Sequence, residues 1–65
     1  MATRDEVTKW IDGGAWDAEC VENTARLGLA EADAERLAEV YGDRAGEIGA
    51  AIVEECRRRV AEQQP

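Results

Sequence analysis

Sixty-five residues with eight bases, fifteen acids and no histidine carry a formal charge of −7, which opposes direct contact with a phosphate backbone or an anionic membrane surface. A chain this short buries only about 60 % of the surface its unfolded form exposes, so its core is small and leaves no room for a deep active site. Two cysteines, Cys20 and Cys56, are too few for a disulfide framework and too distant in sequence for a local metal clip.

No apolar run approaches the roughly 18–20 residues needed to span a bilayer. The N-terminus lacks the basic and apolar regions of a signal peptide, so a cytoplasmic location without a membrane partner is expected. Twelve alanines, with Glu, Arg and Leu around them and a single terminal proline, point to helix throughout. The expected fold is all-α: one helical domain over residues 1–65, built as a compact bundle of three to four short helices.

Thr3 to Glu6 reads TRDE, a capping-box pattern that starts a first helix over residues 4–12. Val7, Trp10 and Ile11 form its apolar stripe, Asp5 and Lys9 are an i,i+4 pair, and Gly13-Gly14 end it, unless it merges with the next helix. Trp16, Cys20, Val21, Thr24 and Leu27 keep helical spacing over 15–27, and Gly28 stands where a left-handed cap is expected. A third helix over 30–41 places Leu29, Ala34, Leu37, Ala38 and Tyr41 on a core face and ends at Gly42. Asp43 is then a candidate N-cap for a last helix over 44–61. There Ala45, Ile48, Ile52, Cys56 and Val60 share a stripe that Val53 widens, and Arg57-Arg58-Arg59 suit the C-terminal end of the macrodipole. Glu62 to Pro65 are expected to fray.

The third helix is unusual in its charges. Glu31, Glu35, Glu39 and Asp43 fall at successive i,i+4 positions, which stacks carboxylates about 6 Å apart along a helix. Each such like-charge pair costs about 0.2–0.5 kcal/mol. Elsewhere most charges have a local partner, with Glu22 before Arg26, Glu54 before Arg58 and Glu55 before Arg59 at i,i+4. Arg36 can reach Asp33 or Glu39, but Glu31, Glu35 and Asp43 have no base within helical reach, and Glu47 extends the acidity into the last helix. From Asp5 to Glu55 the chain has fourteen acids and four bases, a balance of −10, before Arg57 to Arg59 return +3. The row either keeps the protein soluble or supplies a field to a partner.

Catalytic chemistry finds little support. The chain has neither histidine nor serine, and neither cysteine has an activating neighbour in the sequence. Metal ligation is not indicated either, because Glu31, Asp33 and Glu35 lack the loop glycine and spacing of a calcium site. No cofactor is expected. Cys20 and Cys56 read as buried thiols, with a disulfide between the second and fourth helices as the alternative. Trp10 and Trp16 flank the Gly13-Gly14 turn and read as anchors closing one end of the bundle, or else as an exposed aromatic contact surface.

The stretch Thr24 to Tyr41, TARLGLAEADAERLAEVY, resembles a helix-turn-helix with its turn at Gly28-Leu29. That resemblance would make residues 31–35 open a recognition helix, but they read Glu-Ala-Asp-Ala-Glu, which repels phosphate. Asp33 to Ile48, DAERLAEVYGDRAGEI, is similar to a segment in the C-terminal helical domain of flavin-dependent glycerol-3-phosphate dehydrogenases. With none of that family's flavin-binding sequence present, the similarity implies helical packing and no activity. In size, acidity and lack of catalytic residues, the whole chain resembles the small phage-encoded inhibitors that imitate DNA, anti-CRISPR proteins among them. The resemblance implies a non-catalytic protein that blocks a basic nucleic-acid-binding surface of a partner protein. Glu31, Asp33, Glu35, Glu39, Asp43 and Glu47 are the expected partner-binding residues, and no direct nucleic-acid binding is expected. The alternative is a helical interaction or self-assembly module, a homodimer for instance, that binds through the apolar face of the last helix.

Overall fold

The computed structural model describes residues 4–14 and 16–63. They form four α-helices, α1 (Arg4–Gly13), α2 (Ala18–Leu27), α3 (Glu31–Tyr41) and α4 (Ala45–Gln63), with a 3-10 turn at Gly42–Arg44 between the last two. The all-α bundle expected from the sequence is the one found. Its radius of gyration of 11.2 Å is close to the value of about 10.7 Å expected for a folded chain of this length.

Local chemistry sets the helix ends. Asp17 has an extended backbone, and its Oδ1 accepts from the Cys20 N–H at 2.8 Å, so α2 starts at Ala18. The expected start at Ala15 lies outside the described residues, and Trp16 precedes the helix instead of opening it. At the other end, Gly28 at φ +90° donates its N–H to the Thr24 carbonyl. Gly42 at φ +57° does the same to Ala38. Both values fall where a Cβ is strained, which is why glycine ends these two helices. Asp43 is not an N-cap: it lies within the 3-10 turn, which runs straight into α4. Of the expected capping box, Thr3 lies outside the described residues. The Glu6 carboxylate accepts from Arg44 at 3.0 Å.

The longest helix, α4, is the spine, and each of the other three packs on it. Its residues Ile48, Ile52 and Cys56 are wholly buried, surrounded by Val7 and Ile11 of α1, Val21 of α2 and Leu37 of α3. α3 comes close because Gly49 has no side chain: a Cβ there would meet Leu29 Cδ2 at 3.3 Å and Leu37 Cδ1 at 3.6 Å. Of the apolar face of α4 that was expected to offer a self-assembly surface, Ile48, Ile52 and Cys56 are covered within the chain, while Ala45, Val53 and Val60 stay half-buried.

Three further expectations are revised. Leu27, placed on the apolar stripe of α2, is 75 % exposed, because α2 ends there and the chain turns away at Gly28. Ala34 and Ala38 are exposed as well. α3 meets the core along a narrow ridge: Asp33 and Tyr41, about 40° either side of Leu37 around the helix, are half-buried, whereas Ala34 and Val40 at about 60° are already exposed. Finally, α4 runs on to Gln63, so the three arginines do not sit in its last turn. Arg57 Nε donates to the Ala25 carbonyl at 3.0 Å, which satisfies a free acceptor at the end of α2. Arg58 holds Glu55 and Glu62, and Arg59 holds Glu55 and Asp12.

Only one of the four local ion pairs read from i,i+4 spacing forms among the described residues, Glu55 with Arg59 at 3.0 Å. Arg26 bonds Asn23 rather than Glu22, and Arg58 takes Glu55 rather than Glu54. Both thiols are free, Cys56 buried and Cys20 half-buried. Among the described residues no helix is long and apolar enough to cross a membrane.

Candidate acidic docking face

α3 has no side-chain cap, since Ala30 stands at that position. Glu31 and Asp33 in the first turn instead complement the positive end of the macrodipole. This favourable position offsets part of the repulsion along the helix. Glu31, Glu35 and Glu39 lie about 120–160° around the helix from Leu37, on the side away from the core, and all three are exposed. Among the described residues, no ion pair or side-chain hydrogen bond engages them. Four acids elsewhere in the bundle differ: Glu6, Asp12, Glu55 and Glu62 each hold an arginine, whereas Asp5, Glu19, Glu22 and Glu54 are exposed without an ion pair among the described residues.

The fold does not bring the other three expected residues into this row. Asp33 points about 40° from Leu37 and is half-buried on the side facing α2. Its charge there helps to raise the Cys20 pKa, after burial, the largest cause. Asp43 is exposed, but the backbone reversal at Gly42 takes it out of helical register with Glu39. Glu47 is exposed on the first turn of α4 and lies in the field of Arg44. That guanidinium, bonded to Glu6 and close to Glu47, puts positive charge at the end of the row where more acid was expected. The face is therefore a row of three carboxylates about 6 Å apart, with Asp43 and Glu47 beyond a bend.

The thiols do not suit nucleophilic chemistry. Burial raises the pKa of both Cys20 and Cys56, and the fields of Asp33 and Asp17 push Cys20 further in the same direction. Both stay protonated at neutral pH, whereas a nucleophilic cysteine needs a lowered pKa. Among the described residues, no group of three or more acids or cysteines is placed to hold a metal ion.

Sequence reasoning missed a second feature, on the other flank of α3. The Arg36 guanidinium lies 5.4 Å above the Trp10 ring, and Trp10 meets Tyr41 with ring centroids 6.1 Å apart, tilted by 53°. Trp10 Nε1 is buried without an acceptor, which costs about 1–3 kcal/mol for a group of this kind. Val40 beside it is 64 % exposed. Trp10 and Trp16, which flank the Gly13-Gly14 turn, and Arg36, the lone base in α3, are the sequence signals that pointed here. No protein-family model, curated protein or solved structure matches this chain.

Proposed function

We propose that this chain is a non-catalytic binding protein whose α3 acidic row docks on a basic, nucleic-acid-binding surface of another protein and blocks it. The observation that carries the reading is the alignment of three exposed, unpaired carboxylates, Glu31, Glu35 and Glu39, along one side of a single helix, whereas Glu6, Asp12, Glu55 and Glu62 hold arginines. Carboxylates about 6 Å apart along a helix approximate the roughly 7 Å between neighbouring phosphates of one DNA strand. Leu37 buried beneath the row, against α4, holds the carboxylates on a fixed element. Such preorganised charge speeds encounter with a basic groove and makes binding weaken as salt rises. Asp43 and Glu47 serve as a flanking contact, and Asp33 acts within the fold.

The test starts from affinity capture at low salt and proceeds with the captured partner. The Glu31→Lys/Glu35→Lys double variant keeps its helical circular dichroism yet loses both partner binding and the displacement of DNA from that partner. Parent-like binding by the variant, or a partner with no basic surface, would refute DNA mimicry.

One observation favours the second reading, a helical interaction module. Between α3 and α4 runs a shallow groove lined by Leu29, Ala34, Leu37, Gly49, Ala50 and Val53 among others, with no charged side chain. Association through it strengthens or holds as salt rises, the opposite of the acidic mode, and light scattering at two concentrations detects a homodimer.

A further inference from the structure

Between the α1–α2 turn and the edge of α3 lies a cleft of about 420 Å³, lined by Lys9, Trp10, Trp16, Arg36, Val40 and Tyr41 together with the two turn glycines. Three of these side chains are aromatic, two are cationic and none is acidic. In a chain of net charge −7 that combination is unusual. Neither Lys9 nor Arg36 forms an ion pair with a carboxylate among the described residues, although acids outnumber bases almost two to one over the whole chain. Trp10 also leaves a buried indole N–H without an acceptor.

We propose that this cleft is a binding site for a small planar aromatic carboxylate, with its ring among the aromatic walls and its charge neutralised by Lys9 and Arg36. Offset and tilted packing against indole and phenol faces favours a flat ring. A carboxylate only accepts hydrogen bonds, so it matches the two cations, which only donate them. The negative charge of the rest of the chain does not forbid an anion here, because no carboxylate lines the cleft and neither of its cations is held in an ion pair among the described residues, while more distant exposed charges are screened at physiological salt. The volume lies at the lower end of the range for small-molecule sites, which suits one or two fused rings rather than a dinucleotide. Glu31, Glu35 and Glu39 do not line the cleft, so this site and the acidic docking face stand or fall separately.

Trp10 and Trp16 are the two tryptophans of the chain, and their indole N–H signals in a nitrogen–proton correlation spectrum report on the cleft directly. The full chain is titrated with naphthalene-2-carboxylate and, in parallel, with the neutral naphthalene-2-carboxamide. The carboxylate is expected to shift both signals saturably with a dissociation constant below about 1 mM, and the amide to bind about tenfold more weakly. Arg36→Gln and Lys9→Gln each abolish the preference for the carboxylate while leaving amide binding unchanged. No saturable shift of the indole signals, or equal affinity for the two probes, overturns the proposal. Should Arg36→Gln fail to fold, the Lys9→Gln variant and the comparison of probes on the parent chain decide it.

Discussion

Glu35 and Glu55 are the same residue type on neighbouring helices, and the fold treats them in opposite ways. The Glu55 side chain is 10 % exposed and accepts from Arg58 and Arg59, which lowers its pKa even though burial acts against this. Arg59 continues to Asp12 of α1 and Arg58 to Glu62, so the charges around Glu55 form a network that ties α1 to α4. Glu35 is exposed and unpaired, between two like charges. Around Glu55, charge is used within the fold. At Glu35 it faces outward, without a partner in the fold.

Substitutions can sharpen this contrast. The largest effect is expected where α4 faces inward: Ile52→Ala removes a wholly buried side chain and should lower stability by about 2–4 kcal/mol. Total stability for a chain of this size is only about 3–10 kcal/mol, so urea denaturation should show the variant close to unfolding. Next is Glu55→Gln, which loses charge-assisted hydrogen bonds and should cost about 1.5–2 kcal/mol by the same assay. Its pH dependence follows from the sign of the shift. Glu55 titrates lower in the folded chain than in the unfolded one, so its contribution is fully present above the ordinary value of 4.5 and is lost as pH falls through the depressed folded value. Melting temperatures measured from pH 6 downward should drop below that value in the parent and drop less in Glu55→Gln.

A smaller effect separates the two thiols. Cys56→Ala opens a cavity in the core and should cost about 1–2 kcal/mol, whereas half-buried Cys20 should cost less. Thiol labelling of the native chain should be slow at both positions, because burial keeps each protonated. The smallest effect has the opposite sign. Glu35→Gln removes two like-charge i,i+4 pairs and should raise stability by about 0.4–1 kcal/mol, an increment that shrinks in high salt. A loss of stability there would mean that Glu35 is held within the fold in the way that Glu55 is.

The helices were legible because their signals are local. Gly28 and Gly42 mark helix ends through their own backbone geometry, and the 3.6-residue spacing of Ile48, Ile52 and Cys56 identifies a buried stripe without knowledge of its neighbours. Asp17 was an equally local cap, but it sits one residue after Trp16, and counting the tryptophan into the apolar stripe hid it. The ion pairs were not legible. Glu6 with Arg44 and Asp12 with Arg59 join residues 38 and 47 positions apart, beyond any rule of helical spacing, and they take Arg44 and Arg59 into contacts between elements. The acidic row could be read as far as Glu39, where helical register holds. Past Gly42 the register is lost, and Asp43 and Glu47 could be placed only once the turn was seen. Why Ala34 is exposed while Asp33 is half-buried depends on how α2 and α4 flank α3, with Asp33 on the side facing α2 and Ala34 beside the open groove toward α4.

The direct passage from α3 through the 3-10 turn into α4 also bears on proteolysis. The remaining connections, residues 14–17 and 28–30, contain neither lysine nor arginine. Every basic residue of the described chain is therefore within a helix or, for Arg44, within the 3-10 turn. A protease must draw several residues of extended backbone into its cleft, so trypsin has no ready loop to cut and must wait for a helix to open. The order in which tryptic fragments appear should therefore rank the helices by how readily each one opens, with α1 detaching before α4 because α4 is packed on three sides.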